Sequence, residues 1–124
     1  MLFIAGVGGR TPGAEFAIGG AVNAALLSLT KALADAGLPD GIRVNCINPG
    51  TIRTQRFQPR LEALAREPGT TMASAEEAFV RRAGITRIGE PEDVADLAAF
   101  VLGPHGTLLD GAILDLDGGF TKSI

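Results

Sequence analysis

Few side chains in this sequence can do chemistry, and their spacing limits which chemistry it is. There is one thiol, Cys46, one imidazole, His105, and no Tyr. A lone cysteine makes neither a disulfide nor a thiolate zinc site, and a single His cannot assemble a His-rich centre. No metal site is expected. Cys46 sits between Asn45 and Ile47 with no His or cation beside it in sequence, so nothing local lowers its pKa. It reads as a buried, inert thiol. His105 follows Gly103-Pro104 and reads as a solvated loop residue near a helix end. Glu15, Asp35 and Asp40 show no acid/base pairing. Arg53, Arg56, Arg60 and Arg66 could meet an anionic substrate or phosphate. With Glu62 and Glu67 interleaved, a solvated, ion-paired helical face is the plainer reading. Two glycine turns remain, Gly6-Val7-Gly8-Gly9 and Asn48-Pro49-Gly50, the second followed by Ile52 and Thr54. Such turns bring backbone N–H groups close to an anion, or they simply end a strand.

The elements that must position these groups follow from hydrophobic periodicity. Residues 2–5 are a short apolar run ended by glycines, a strand emptying into a loop. From Phe16 to Ala36 the period is helical, with Ile18, Val22, Leu26, Leu29 and Leu33 on one stripe. Gly37 is placed as its C-terminal stop, ahead of Pro39. Ala21, Ala24, Ala25 and Ala32 make the other faces apolar too. A helix of that kind packs on most sides, here on a sheet and on a second helix. Ile42 to Ile47 predicts a strand ending at Asn48-Pro49-Gly50. Thr51 to Pro68 predicts a mobile, partly helical segment. Ser74-Ala75-Glu76-Glu77 has the spacing of a helix-starting cap. Pro91, flanked by Glu90, Glu92 and Asp93, starts another helix, with Val94, Leu97, Ala98 and Val101 on its inner face. Ala112 to Leu116 predicts a last strand, closed by Asp117-Gly118-Gly119. Alternating strands and helices predict an α/β fold with a parallel sheet. Three strands alone make a poor parallel sheet, and residues 2–5 would form an exposed edge.

Composition excludes several functions. The net charge is −3 with no basic stripe, so a nucleic-acid partner is not expected. No apolar run approaches the roughly 18 residues that a membrane span needs. The apolar start, Met1-Leu2-Phe3-Ile4-Ala5, lacks a signal peptide's basic region. A cytoplasmic protein without a membrane or nucleic-acid partner is the expectation.

Four segments together resemble the short-chain dehydrogenase/reductase family. Gly41-Ile42-Arg43-Val44-Asn45-Cys46-Ile47-Asn48-Pro49-Gly50 resembles its sixth strand and following loop. Arg87-Ile88-Gly89-Glu90-Pro91-Glu92-Asp93-Val94-Ala95 resembles the start of its penultimate helix. Gly111-Ala112-Ile113-Leu114-Asp115-Leu116-Asp117-Gly118-Gly119 resembles its last strand, and Ala24 to Leu33 the helix after its active site. The resemblance implies a Rossmann-like parallel sheet with flanking helices, of which this chain is the C-terminal portion only. Residues 1–124 would be one partial domain with a helical, lid-like segment at 54–86. It also implies roughly a hundred or more upstream residues carrying the pyrophosphate-binding glycine turn, and so a fragment or a miscalled start.

The function implied is an NAD(P)-dependent oxidoreductase acting on a small alcohol or carbonyl. The resemblance places the nicotinamide amide against backbone near Ile52 and a phosphate against Thr54, with Pro49 and Gly50 shaping that loop. The proton-transfer machinery does not carry over. Such reduction needs a proton donor at oxygen and a hydride donor at carbon. The family's Ser, Tyr and Lys positions fall on Gly6, Gly19 and Asn23. Glycine has no proton to give, and neutral Asn cannot depress a Tyr pKa. Phe16 lies near the Tyr position but has no hydroxyl. Asn23 is expected to bond neighbouring backbone. No catalytic residue is assigned, and a non-catalytic homologue or an inactive truncated product stays open beside the enzyme. The resemblance further implies a homodimer or homotetramer, joined through the long helix and the final strand.

Overall fold

The computed structural model describes residues 1–122. Its centre is a parallel three-stranded sheet in the order β1 (Leu2–Ile4), β2 (Asn45–Pro49), β3 (Ile113–Leu116). Register places Phe3 opposite Cys46, and Cys46 opposite Ile113. All five residues of β2 are buried, as the middle strand of a parallel sheet requires. Its two asparagines are tolerable there because each is hydrogen-bonded. Asn45 donates to Leu109 O (2.8 Å) and accepts from Ala112 N–H (2.9 Å). Asn48 donates to the Asp115 carboxylate at 2.7 Å. The second strand starts and ends later than expected, at 45–49 rather than 42–47. Ahead of it, Val44 N–H donates to the Asp110 carboxylate (2.9 Å), and Arg43 turns its guanidinium onto Gly106 O (2.6 Å) and Leu109 O (2.9 Å).

The long helix, α1, runs Ala17–Gly37 and packs on β2. Its inward face is shifted from the one read from periodicity, of which Leu26 and Leu33 are half-buried and Ile18, Val22 and Leu29 exposed. Gly20, Leu27, Thr30 and Ala34 are buried, whereas Ile18 is 84% exposed and Val22 56% exposed. The reason is distance. A Cβ on Gly20 would lie 3.0 Å from Gly8 O, and a Cβ on Gly9 would lie 3.0 Å from backbone of Asn23 and Ala24. Only small residues let the helix approach the loop after β1 that closely, so the bulkier stripe turns outward. With its short 3-10 flanks the segment Ala14–Asp40 is also long and apolar enough, by composition, to cross a membrane. No uninterrupted apolar run is needed for that, because Ala residues raise the average. The α-helix ends at Gly37, but Gly37 is not the left-handed stop expected of it, its φ being an ordinary −81°. A 3-10 turn continues through Leu38–Asp40, and Gly41, at φ +67°, supplies the left-handed reversal.

Residues 54–86 hold two helices, α2 (Gln58–Leu64) and α3 (Met72–Ala83). They share a core with the segment that follows, Phe57, Leu61 and Ala75 being buried together with Ile88. Phe57 and Phe79 meet edge-on, ring centroids 5.1 Å apart. The cap of α3 is Thr71, not Ser74. The Thr71 hydroxyl accepts from Ser74 N–H (3.1 Å), and Ser74 Oγ accepts from Thr71 N–H (2.9 Å). Ser74 is therefore the returning partner of the box. Helix α4 (Pro91–Leu102) begins at Pro91 as expected. Its residues Val94, Leu97, Ala98 and Val101 form the inner face.

Candidate cofactor-facing site

Three parallel strands bring three loops to one edge of the sheet, the edge where ligands of open α/β sheets bind. These are Gly6–Gly9 after β1, Gly50–Thr54 after β2 and Asp117–Gly119 after β3. The last two touch. A Cβ on Gly50 would fall 2.8 Å from Asp117 Cα, so Pro49-Gly50 is a packing requirement as well as a strand end. The Asp117 carboxylate accepts from Gly119 N–H (2.9 Å) and Thr121 N–H (2.7 Å), holding its own turn. A small cavity of about 140 Å³ opens between these loops, lined by Thr51, Ile52, Thr86 and Asp117 among others.

Ile52 forms an isolated parallel bridge with Gly89. Gly89 N–H donates to Thr51 O (2.9 Å), and Arg53 N–H donates to Gly89 O (2.7 Å). In a parallel bridge of this pattern the bridged residue's own N–H and C=O point to the opposite side. Among the described residues neither of these groups of Ile52 has a hydrogen-bond partner. One donor and one acceptor thus stand side by side, the complement of a carboxamide. Thr54 is exposed, and its hydroxyl makes no hydrogen bond among the described residues. Its carbonyl accepts from Phe57 N–H at 2.9 Å and so leads into α2.

Between these two residues, the Arg53 guanidinium donates two bonds to Glu76 of α3 (2.6 and 3.0 Å) and one to Glu90 before α4 (2.9 Å). These bonds raise the Arg53 pKa and hold Glu76 below the usual carboxylate range. The arginine group therefore does not form one face with Glu62 and Glu67. Arg53 pairs across the fold, and Arg60 lies over the Phe79 ring at 5.3 Å. Sequence spacing carries no sign of the Arg53 pairs, which span 23 and 37 residues.

The three degenerate positions do lie beside this edge, and neighbouring groups use their space. A Cβ on Gly6 would sit 3.0 Å from the Asn23 amide nitrogen. A Cβ on Gly19 would fall 2.2 Å from the Phe16 ring. Contrary to expectation, the Asn23 side chain bonds no backbone among the described residues. It reaches toward Gly6 instead, because the missing side chain there leaves room. Cys46 is fully buried, and burial pushes its thiol pKa up, in keeping with an inert role.

The profile described as "Enoyl-(Acyl carrier protein) reductase" matches residues 1–121. The chain belongs to the short-chain dehydrogenase/reductase family. Among curated relatives in the family it is similar to the NADPH-dependent reductase BacG of Bacillus subtilis, with 33% identity over 93% of this chain and 44% of that protein. A tropinone reductase homologue of Arabidopsis thaliana is 36% identical over 98% of this chain and 42% of its own length. Among solved structures, L-sorbose reductase of Gluconobacter frateurii, complexed with NADPH and L-sorbose, superposes with a TM-score of 0.88. It is 28% identical, over 99% of this chain and 47% of that one. The chain thus spans a little under half the length of the relatives it matches, and the Rossmann-like class expected of the sheet holds.

Proposed function

We propose that this chain supplies the nicotinamide-facing side of an NAD(P)-dependent oxidoreductase acting on a small alcohol or carbonyl. The observation that carries this reading is the unpartnered N–H and C=O of Ile52 at the C-terminal edge of the sheet. Relatives named as NADPH-dependent, or solved with NADPH, support the same cofactor. When bound, that cofactor would supply or accept hydride at its nicotinamide ring. Ile52 would hold the carboxamide through both hydrogen bonds, fixing which ring face meets substrate. Thr54, with a free hydroxyl, would bond a phosphate oxygen. Pro49 and Gly50 keep the loop seated against Asp117.

The test is an NADPH titration of the protein by fluorescence, beside an Ile52→Pro variant. Proline removes the Ile52 N–H, which no group among the described residues uses. Saturable binding that the variant weakens is the expected result. No binding by the protein, or an unaffected variant, overturns the reading.

A second reading, a binding protein without hydride chemistry, is favoured by one observation. The spaces of the family's Ser and Tyr are used by the Asn23 amide and the Phe16 ring, neither of which donates a proton to an alkoxide. Robust NADPH-dependent turnover of ketones by the unsubstituted protein would remove this alternative. Assembly belongs to the same reading. The exposed Ile18, Val22 and Leu29 stripe on α1 supports a homodimer or homotetramer, since a contiguous apolar face of this kind is costly to leave in water.

A further inference from the structure

Arg53 meets two parts of the fold, helix α3 and the Gly89-Glu90 segment before α4, through its backbone and its side chain. Its backbone lies in the Ile52 bridge, where its N–H holds Gly89 O at 2.7 Å. Its side chain forks onto Glu76 in the middle of the lid helix α3, with contacts of 2.6 and 3.0 Å. The remaining Nε–H takes Glu90, the residue before α4, at 2.9 Å. A planar fork engaging both oxygens of one carboxylate fixes orientation as well as distance. Helices α2 and α3 also meet the rest of the fold through Ile88, which is buried in their apolar cluster, and through Thr86 N–H, which donates to Gly118 O at 2.9 Å; Arg53 adds the charged, oriented contact.

We propose that Arg53 is a positioning residue that couples the lid, residues 54–86, to the Ile52 peptide. Lid position and the aim of the Ile52 N–H and C=O then change together. The use of this coupling in cofactor binding rests on the proposed function above; the coupling itself does not.

Hydrogen exchange of the 124-residue protein tests it without any ligand. Arg53→Met keeps the stem and removes the fork. Amides of α3 should then exchange about tenfold faster, while those of β2 hold their protection. Glu76→Gln, made within the lid, should speed exchange at Arg53 and Gly89, whose N–H groups close the Ile52 bridge. Arg53→Lys retains charge but loses the two-pronged geometry, and should fall between wild type and Arg53→Met. Unchanged α3 protection in Arg53→Met overturns the proposal. So does a rise that spreads equally to β2, which would make Arg53 a global stabiliser. So does a Glu76→Gln variant with wild-type exchange at Arg53 and Gly89. With NADPH present, Glu76→Gln should weaken binding by about fivefold, the lower end of usual coupling between sites. Coupling seen by exchange without any NADPH binding would remove the functional reading and leave this one. NADPH binding with an uncoupled lid would do the reverse.

Discussion

At the residue scale, the Asp93 carboxylate shows how local partners set charge. Asp93 is lowered to about 2 from an ordinary 3.8, first by the hydrogen bond from Arg87 and then by that from Glu90 N–H. Those bonds measure 2.6 to 2.7 Å. A folded-state pKa below the unfolded one means the unfolded chain binds more protons as pH falls. The Asp93 contribution is therefore complete above its ordinary 3.8 and vanishes as pH falls through about 2. Acid titrations of folding should show a shallower loss for Asp93→Asn than for wild type across that window. Parallel curves would count against it. Gly50 makes a different kind of residue-scale demand. A methyl there would press on Asp117 backbone at 2.8 Å, and neither loop is free to retreat from a paired sheet. Gly50→Ala should cost about 1–3 kcal/mol in urea unfolding. A neutral outcome would show that the two loops can separate freely.

At the element scale, α3 depends on its first turn. Thr71 and Ser74 satisfy each other's backbone donors, where four N–H groups would otherwise lack partners. Thr71→Ala should lower stability by about 1 kcal/mol, with exchange rising first in Met72–Ala75 and not in α4. If α4 loosens equally, the two helices unfold as one unit. The 54–86 segment is thus more than a loop draped on the sheet. It has a core shared with Ile88, a cap and, among the described residues, one ionic strut to the rest of the fold through Arg53. Its helices could not be bounded from periodicity, because α2 is only seven residues long. One helical face over so few positions leaves almost no repeat to read.

At the scale of the whole molecule, the unresolved demand is apolar surface. The outward stripe of α1 carries Ile18 at 84% and Val22 at 56% exposure. Both outer strands of the sheet have an open edge. Light scattering at micromolar concentration should therefore report more than one copy of the chain per particle. Val22→Glu should shift that mass downward by burying a charge in the contact. A monomeric wild type would remove the proposed assembly.

Element types, their order and the family were legible in the residues, because strand and helix periods and turn glycines are local properties. The loop after β2 that carries Pro49, Gly50, Ile52 and Thr54 was legible as a strand end for the same reason, through a contiguous motif; its part in cofactor binding is the proposal made above. The inner face of α1 was not. Hydrophobicity named the bulky stripe, whereas the approach of Gly8 and Gly9 to within contact of the helix selected the small one. Nor were the Arg53 partners, the free orientation of the Ile52 peptide, or Phe16 and Asn23 filling the places beside Gly19 and Gly6. Each of these depends on groups far apart in the chain, or on how side chains share a crowded space. Packing and long-range pairing decide such matters only once the chain has closed on itself.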